Sequence, residues 1–218
     1  MHLEENTGGA ITAVSLESGE WVGRFASTAS DRRLAGRISP EGGYCMTDMN
    51  PQTVIRDETA ADADVIGEVT EAAFRDLVLS DHTEQLIVAG LRTARALTVS
   101  LVAERNDQVV GHIAFSPVAV SDGATGWYGL GPVSVLPQLQ RRGIGTALIE
   151  AGLARLRAMG AAGCCLVGHP DYYPRFGFRN TPGLGVEGVP AEVFFALPFT
   201  GHIPQGQVTF HEAFRAGH

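Results

Sequence analysis

A glycine turn between a β-branched segment and a helical segment is the part of this sequence best suited to chemistry. It lies within residues 133–150, where Gly143 and Gly145 stand beside Arg141 and Arg142. Residues without a Cβ let the backbone approach a ligand closely. The unpaired N–H groups in the first turn of a helix attract anions. The pattern predicts a phosphate-binding turn, with guanidinium groups as further support for the anion.

Arginine supplies all sixteen cationic side chains of the 218-residue chain, and lysine is absent. This excludes any chemistry that needs a lysine, such as a P-loop nucleotide site or a Schiff base. The formal net charge of −8 argues against a broad basic face for nucleic-acid phosphates. We therefore expect no nucleic-acid partner.

The cysteine and histidine spacings are not those of a disulfide framework or a metal site. The three cysteines are Cys45, Cys164 and Cys165, and none of the seven histidines lies in an H-E-x-x-H pattern. The sequence also lacks an apolar run of the ~18 residues that a membrane span needs, and it lacks a signal pattern. We predict a cytoplasmic protein without a metal and without a membrane partner.

The first 50 residues differ from the rest because they show no sustained helical or strand period. We interpret residues 1–50 as a disordered extension, or as sequence upstream of a natural start at Met46 or Met49. Residues 51–218 form the predicted domain.

Regular patterns begin near residue 53 and predict the order β-α-α-β-β-β-α-β-α-β-β, a mixed sheet with helices on both faces. A capping box at Thr59 to Asp62 opens the first helix, and Asn106-Asp107 is a two-residue hairpin turn. Gly160 ends the helix that follows the glycine turn. The predicted strands are 53–56, 99–105, 108–115, 127–135, 164–167, 193–198 and 207–210, and the second helix is at 84–94.

Three segments, in this order, resemble the GNAT superfamily of acyl-CoA-dependent N-acyltransferases. Val133-Ser-Val135-x-Pro137 resembles the acyl-CoA strand of the family. Gln140-Arg-Arg-Gly143-Ile-Gly145 matches its Q/R-x-x-G-x-G/A signature. Tyr172-Tyr173-Pro-Arg-Phe-Gly177-Phe178 resembles its later element of a tyrosine followed by Gly-Phe. Segments 190–198 and 208–214 are similar to the YhbS-like branch, so the resemblance covers residues 53–214.

The resemblance implies an α/β GNAT fold, with a central mixed, mostly antiparallel sheet flanked by helices on both faces. It also implies direct transfer of an acetyl group from acetyl-CoA to a primary amine. The strand before the turn would pair with the pantetheine arm, and a strand N–H near Val133 would polarise the thioester carbonyl. The implied cofactor-binding residues are Val133, Ser134, Val135, Gln140, Arg141, Arg142, Gly143, Ile144, Gly145 and Thr146.

By the same resemblance, Tyr173 is the expected general acid toward the departing thiolate. The general base stays open because the strand at 127–135 contains no acid. Its candidates are His112, Tyr128, His169, Asp171 or a chain of water molecules.

The resemblance also implies that the acceptor binds near the first two helices, and the expected acceptor is a small-molecule amine or a protein amino group. The residues there are Glu71, Phe74, Asp81, His82 and Glu84. The alternative function is a non-catalytic acyl-CoA-binding or sensing module with the same fold. The apolar segment 193–197 is either a homodimer contact or an internal strand.

Overall fold

A computed structural model describes residues 52–76 and 82–215. The predicted N-terminal extension, the alternative starts at Met46 and Met49, Cys45 and Asp81 lie outside the described residues.

Within the described residues the α-helices are α1 (Ala63–Phe74), α2 (Glu84–Thr93) and α3 (Ile144–Ala158). The strands are β1 (Val54–Asp57), β2 (Val99–Arg105), β3 (Gln108–Pro117), β4 (Ala119–Val120), β5 (Trp127–Val135), β6 (Gly163–Val167), β7 (Leu184–Gly185), β8 (Phe194–Pro198) and β9 (Gly206–Thr209).

The main sheet has six strands in the order β1-β2-β3-β5-β6-β8. All neighbouring strands are antiparallel except β5 and β6, which are parallel. The hairpin between β2 and β3 turns at Asn106 and Asp107, whose φ angles are 52° and 59°. Both angles suit the mirror-image turn that two-residue hairpins favour. The predicted mixed, mostly antiparallel sheet is confirmed.

Helices cover both faces of this sheet. Leu148 and Leu153 of α3 are buried in one hydrophobic cluster with Phe115 and Val133 of the sheet. On the other face, Ile66 of α1 is buried in a second cluster, which includes Val102 of β2 and Val88 of α2. Successive side chains of each strand point alternately into these two layers, so β5 presents one face to α3 and the other to α1.

The predicted α-helix between β6 and the late strands is wrong. The described chain there forms only short 3₁₀ turns, at Tyr173–Phe176 and Ala191–Val193. Gly177 ends the first of them with a φ of 94°, a conformation that stops helix growth.

The strand predicted at 207–210 lies at β9, but it does not join the main sheet. It pairs with β4 and β7 in a separate three-stranded sheet. The two partner strands were not predicted, because strands of two residues are too short to show an alternating pattern. The strand predicted at 193–198 is β8, the last strand of the main sheet, and its outer edge exchanges hydrogen bonds with Arg179 at Ala196.

Candidate active site

The glycine turn places Gly143 at the N-terminus of α3 in a left-handed conformation, with a φ of 83°. A Cβ on Gly143 would meet nothing within 4 Å, so the turn faces open space. No side chain caps the helix at this end. The N–H groups of its first turn are therefore available to a ligand, as the sequence predicts.

The residues before Gly143 hold the turn against the end of β5. The Gln140 side chain donates a hydrogen bond from Nε2 to the Val135 carbonyl oxygen at 3.1 Å. Arg141 and Arg142 are exposed, and Arg141 has a φ of 59°. Ile144 is buried in the core, so only its main chain faces the turn.

The strands β5 and β6 pair over only part of their lengths. Trp127, Tyr128 and Gly129 pair with Gly163, Cys164 and Cys165. Strand β5 then continues to Val135, and no described strand pairs with its β6-facing edge beyond Gly129. The two strands thus leave an open edge that leads toward the N-terminus of α3.

The hydrogen bonds on the β3 side show which residues of β5 face this open edge. Leu136 donates its N–H to the Val110 carbonyl oxygen at 2.9 Å. The register pairs Ser134 with His112 and Val133 with Ile113. Because an antiparallel strand directs its main-chain groups to alternate edges, Leu136 and Ser134 face β3. The main-chain groups of Val133 and Val135 face the open edge.

Ser134 differs from its two neighbours on β5. Its main chain faces β3, and its buried side chain lies on the α1 side of the sheet. There its hydroxyl oxygen is 3.2 Å from the hydroxyl oxygen of Thr70. Of the cofactor residues that the sequence predicts on β5, the structure brings Val133 and Val135 to the open edge, but not Ser134.

Tyr173 is fully buried in the core beside β6 and β8. Its ring contacts those of Tyr172, Phe176, Phe178 and Phe195. Its hydroxyl group has no hydrogen-bond partner among the described residues. Burial raises the pKa of Tyr173 well above its usual value, so the phenol stays protonated.

Tyr172 is a further residue at the turn, although the sequence pattern predicts no role for it. Its hydroxyl group bonds the Thr146 side chain and would be 3.5 Å from a Cβ on Gly145. The guanidinium of Arg175 lies over its ring, 4.4 Å from the centroid. The only signal for it in the sequence is its place in the same segment as Tyr173.

The candidates for the general base occupy different environments. His169 and Asp171 lie on the loop after β6, where the Asp171 N–H donates to Nδ1 of His169 at 3.1 Å. Tyr128 lies half-buried near the start of β5. His112 is fully buried on β3, and its Nε2 lies 2.8 Å from the Ser100 hydroxyl oxygen.

Three of the five residues expected near the acceptor line the same pocket. Glu71, Phe74 and His82 line a pocket of about 140 Å³ with Arg75 and Gln85. Glu84 lies at the start of α2 and is buried. A larger groove of about 420 Å³ lies at the start of β5, between residues 117–120 and 123–128.

Neither a metal site nor a membrane-spanning helix is present in the described part of the chain. Within residues 52–76 and 82–215, no group of three His, Cys, Asp or Glu side chains is placed to hold a metal ion. No helix in the same part of the chain has the length and apolar character needed to cross a membrane.

Comparison with known proteins gives a consistent result. Residues 97–180 match the family model described as an acetyltransferase (GNAT) domain. The uncharacterised N-acetyltransferase YhbS of Escherichia coli K12 is 36% identical over 127 residues, which are 58% of this chain and 73% of that protein. The uncharacterised N-acetyltransferase YjhQ of the same organism is 35% identical over 133 residues, covering 60% of this chain and 71% of that protein.

Solved structures agree with the sequence relatives. A GNAT family acetyltransferase from Brucella melitensis, in complex with acetyl-CoA, is 51% identical with a TM-score of 0.68, covering 75% of this chain and 98% of that one. The structure of E. coli YhbS in complex with CoA is 29% identical with a TM-score of 0.71, covering 79% and 97%. With the six-stranded sheet and the glycine turn at α3, these similarities show that the chain belongs to the GNAT family of N-acetyltransferases.

Proposed function

We propose that this chain binds acetyl-CoA and transfers the acetyl group directly to a primary amine. The observation that carries the proposal is the continuous path from the open edge of β5 to the uncapped N-terminus of α3. An extended pantetheine arm fits such an edge, and a pyrophosphate fits such a helix start. Two similar solved proteins hold acetyl-CoA and CoA.

When bound, acetyl-CoA supplies an acetyl thioester as the acyl donor. The main-chain N–H groups from Arg141 to Thr146 bind the pyrophosphate, and the exposed guanidinium groups of Arg141 and Arg142 add charge-assisted hydrogen bonds. Gln140 supports this turn by its bond to Val135. The backbone of the turn, rather than a lysine, does the binding.

The main chain of β5 positions and polarises the thioester. The Val133 N–H faces the open edge and donates to the carbonyl oxygen as negative charge develops there. The Val135 N–H, on the same edge, pairs with the pantetheine arm. The side chains of both valines pack in the layer against α3, so binding and core packing use different parts of the same residues.

Tyr173 gives its hydroxyl proton to the departing thiolate. Its raised pKa keeps the phenol protonated at neutral pH, as a proton donor must be. The same dry surroundings disfavour an ionised thiolate, which makes the thiolate a stronger proton acceptor than it is in water. The hydroxyl has no competing partner within the described chain.

The acceptor amine binds in the pocket lined by Glu71, Phe74 and His82. A carboxylate beside an aromatic ring suits a cationic amine on an apolar stem. The amine would compete there with Arg75, which lies 3.7 Å from the Glu71 carboxylate. Whether the amine belongs to a small molecule or to a protein stays open. A cytoplasmic location and a homodimer stay predictions from the sequence.

Calorimetry with acetyl-CoA and with CoA tests the binding step, and CoA release with a panel of primary amines tests the transfer. We expect binding of both ligands and release that depends on the amine. Without any heat of association at millimolar ligand, the proposed function must be given up. Binding without amine-dependent release would instead support the non-catalytic sensing module.

A further inference from the structure

A chain of polar groups runs through the buried layer between the main sheet and the first two helices. His112 of β3 has its Nε2 atom 2.8 Å from the Ser100 hydroxyl oxygen. That oxygen is 2.6 Å from Oε2 of Glu58, the residue that follows β1. Arg92 of α2 holds the same carboxylate through two hydrogen bonds, of 2.8 and 3.2 Å.

These contacts determine where the proton of the imidazole lies. Burial raises the pKa of Glu58, but the contacts with His112, Arg92 and Ser100 lower it to about 2, so the carboxylate is ionised. An ionised carboxylate only accepts hydrogen bonds, so the single hydroxyl proton of Ser100 points at Glu58. Toward His112 the hydroxyl oxygen must therefore accept, and Nε2 carries the proton. The other ring nitrogen, Nδ1, keeps a free lone pair.

This lone pair lies in the interior without a hydrogen-bond partner in the described part of the chain. His112 stands directly opposite Ser134 in the β3–β5 register. Side chains of opposed residues share one face of a sheet, with their Cβ atoms ~4.5–5.5 Å apart. The Ser134 hydroxyl belongs to the buried pair with Thr70, and the residue before Ser134 on β5 is Val133, whose N–H faces the open edge.

We infer that His112 accepts the proton that the acceptor ammonium loses, through the hydroxyl pair of Ser134 and Thr70. In the described structure the Ser134 hydroxyl contacts Thr70 and Nδ1 has no partner, so the transfer requires the Ser134 hydroxyl to turn toward Nδ1 when the amine binds. Ser100 and Glu58 act as positioning residues, because they hold the tautomer that leaves Nδ1 free. The inference rests on the proposed function and supplies the general base that the sequence leaves open.

The proton balance is complete. The ammonium N–H bond breaks, and the proton passes to Nδ1 while the nitrogen lone pair attacks the thioester carbonyl carbon. A C–N bond forms and the C–S bond breaks, with the thiolate protonated by Tyr173. The second N–H proton leaves the nitrogen as the amide forms and restores the Tyr173 hydroxyl. His112 returns its proton to solvent before the next turnover, so each cycle gives an amide, a thiol and one released proton.

The charges around the imidazole suit this role. The pKa of His112 lies below its usual value of 6.5, because burial and Arg92 lower it by more than Glu58 raises it. Arg92 and Glu58 are the charged groups that face His112 from the described elements packed against it. The imidazole is thus neutral at neutral pH and free to accept a proton.

The first test is made on the wild-type protein. Long-range ¹H–¹⁵N NMR of the imidazole ring reports the tautomer without any substrate. We expect protonated Nε2 and unprotonated Nδ1 at neutral pH. A ring protonated at Nδ1 instead would overturn the inference, whatever the activity.

The second test is His112→Gln, because the glutamine amide keeps a donor for Ser100 and removes the titrating base. We expect acetyl-CoA affinity within about twofold of wild type and amine-dependent CoA release at least about 100-fold slower. The acidic limb of the pH–rate profile, with spermidine, tyramine and an alanine-ended peptide as amine probes, should disappear. An unchanged rate with an unchanged acidic limb would overturn the role of His112 and leave the proposed function standing.

Glu58→Gln is the companion variant, since it keeps an acceptor for Ser100 but removes the charge that raises the pKa of His112. We expect its acidic limb to move to lower pH. An acidic limb at unchanged pH would contradict the transfer of the proton to His112. If wild-type protein bound no acetyl-CoA, the proposed function would fail, and this inference with it.

Discussion

Gly129 of β5 lies against the ring of Phe210, and a Cβ on Gly129 would be 2.5 Å from Cε1 of that ring. Carbon atoms in contact normally lie ~3.5–4.0 Å apart, so this position has no space for a methyl group. Phe210 also packs against the cluster of the small sheet and the cluster of α2. Gly129 is the last residue of β5 that pairs with β6. The last residue of β5 that pairs with β6 therefore lies directly against an aromatic ring from the C-terminal segment.

Replacing Gly129 with alanine should lower the free energy of unfolding by ~1–3 kcal/mol, because the ring or the strand must move. Equilibrium unfolding in urea measures this difference. Gly185→Ala is the matched control, since a Cβ on this strand residue meets nothing within 4 Å. Equal stability of the two variants would contradict the close packing.

Gly143 and Gly160 lie at opposite ends of α3 and share the same local geometry. Their φ angles are 83° and 77°, and a Cβ at either position meets nothing within 4 Å. Alanine at each should therefore cost a similar ~1–2 kcal/mol of backbone strain. Only Gly143→Ala should weaken acetyl-CoA binding, because only that turn faces the pyrophosphate. Calorimetry on both variants checks this, and a comparable loss of affinity in Gly160→Ala would point to general destabilisation.

The elements around the turn could be predicted because their signals are local. The β-branched run at β5, the two glycines and the apolar stripe of α3 are contiguous in sequence, and the Asn106-Asp107 turn lies between two β-rich runs. The small sheet could not be predicted, since Ala119–Val120 and Leu184–Gly185 become strands only by pairing with β9. The helix predicted between β6 and the late strands is wrong, because a single 3₁₀ turn and a longer helix begin with similar residues.

The sequence predicts which segments form the site. It does not predict which main-chain and side-chain groups of those segments face the ligand. The motif identifies Val133 to Val135, but which main-chain groups face the open edge depends on the pairing of Leu136 with Val110. The link between Glu58, Ser100 and His112 joins three elements that are distant in sequence. No periodicity relates such residues, so only the folded arrangement brings them together.

The two adjacent tyrosines should separate turnover from affinity. Tyr173→Phe removes a hydroxyl with no partner in the described chain, so it should preserve stability and reduce turnover about 100-fold with little change in acetyl-CoA affinity. Tyr172→Phe removes a hydroxyl that bonds Thr146 at the turn, so it should weaken acetyl-CoA binding and change turnover less. Steady-state kinetics with calorimetry on both variants checks the contrast. Unchanged turnover in Tyr173→Phe would remove Tyr173 from the mechanism.

The pH dependence of stability should reveal the buried carboxylate of Glu58. Its pKa falls from 4.5 to about 2 in the folded chain, so the unfolded chain binds more protons in that window. The free energy of unfolding must then decrease as the pH falls from about 4.5 toward 2. Glu58→Gln should be less stable than wild type at neutral pH, and its stability should fall less steeply over this range in urea unfolding at a series of pH values.

Asp57→Asn is the control for this experiment, because Asp57 and Arg155 form an ion pair whose side chains are 64% and 56% exposed. Exposed pairs of this kind contribute ~0–1 kcal/mol, so the stability of this variant at neutral pH should follow wild type closely. Both variants remove one carboxylate near the end of β1. Any difference in stability between them therefore reflects the different burial and contacts of the two carboxylates, and not the loss of one charge. If Glu58→Gln kept the wild-type slope between pH 4.5 and 2, the contacts of Glu58 with His112, Arg92 and Ser100 would not lower its pKa in the folded chain.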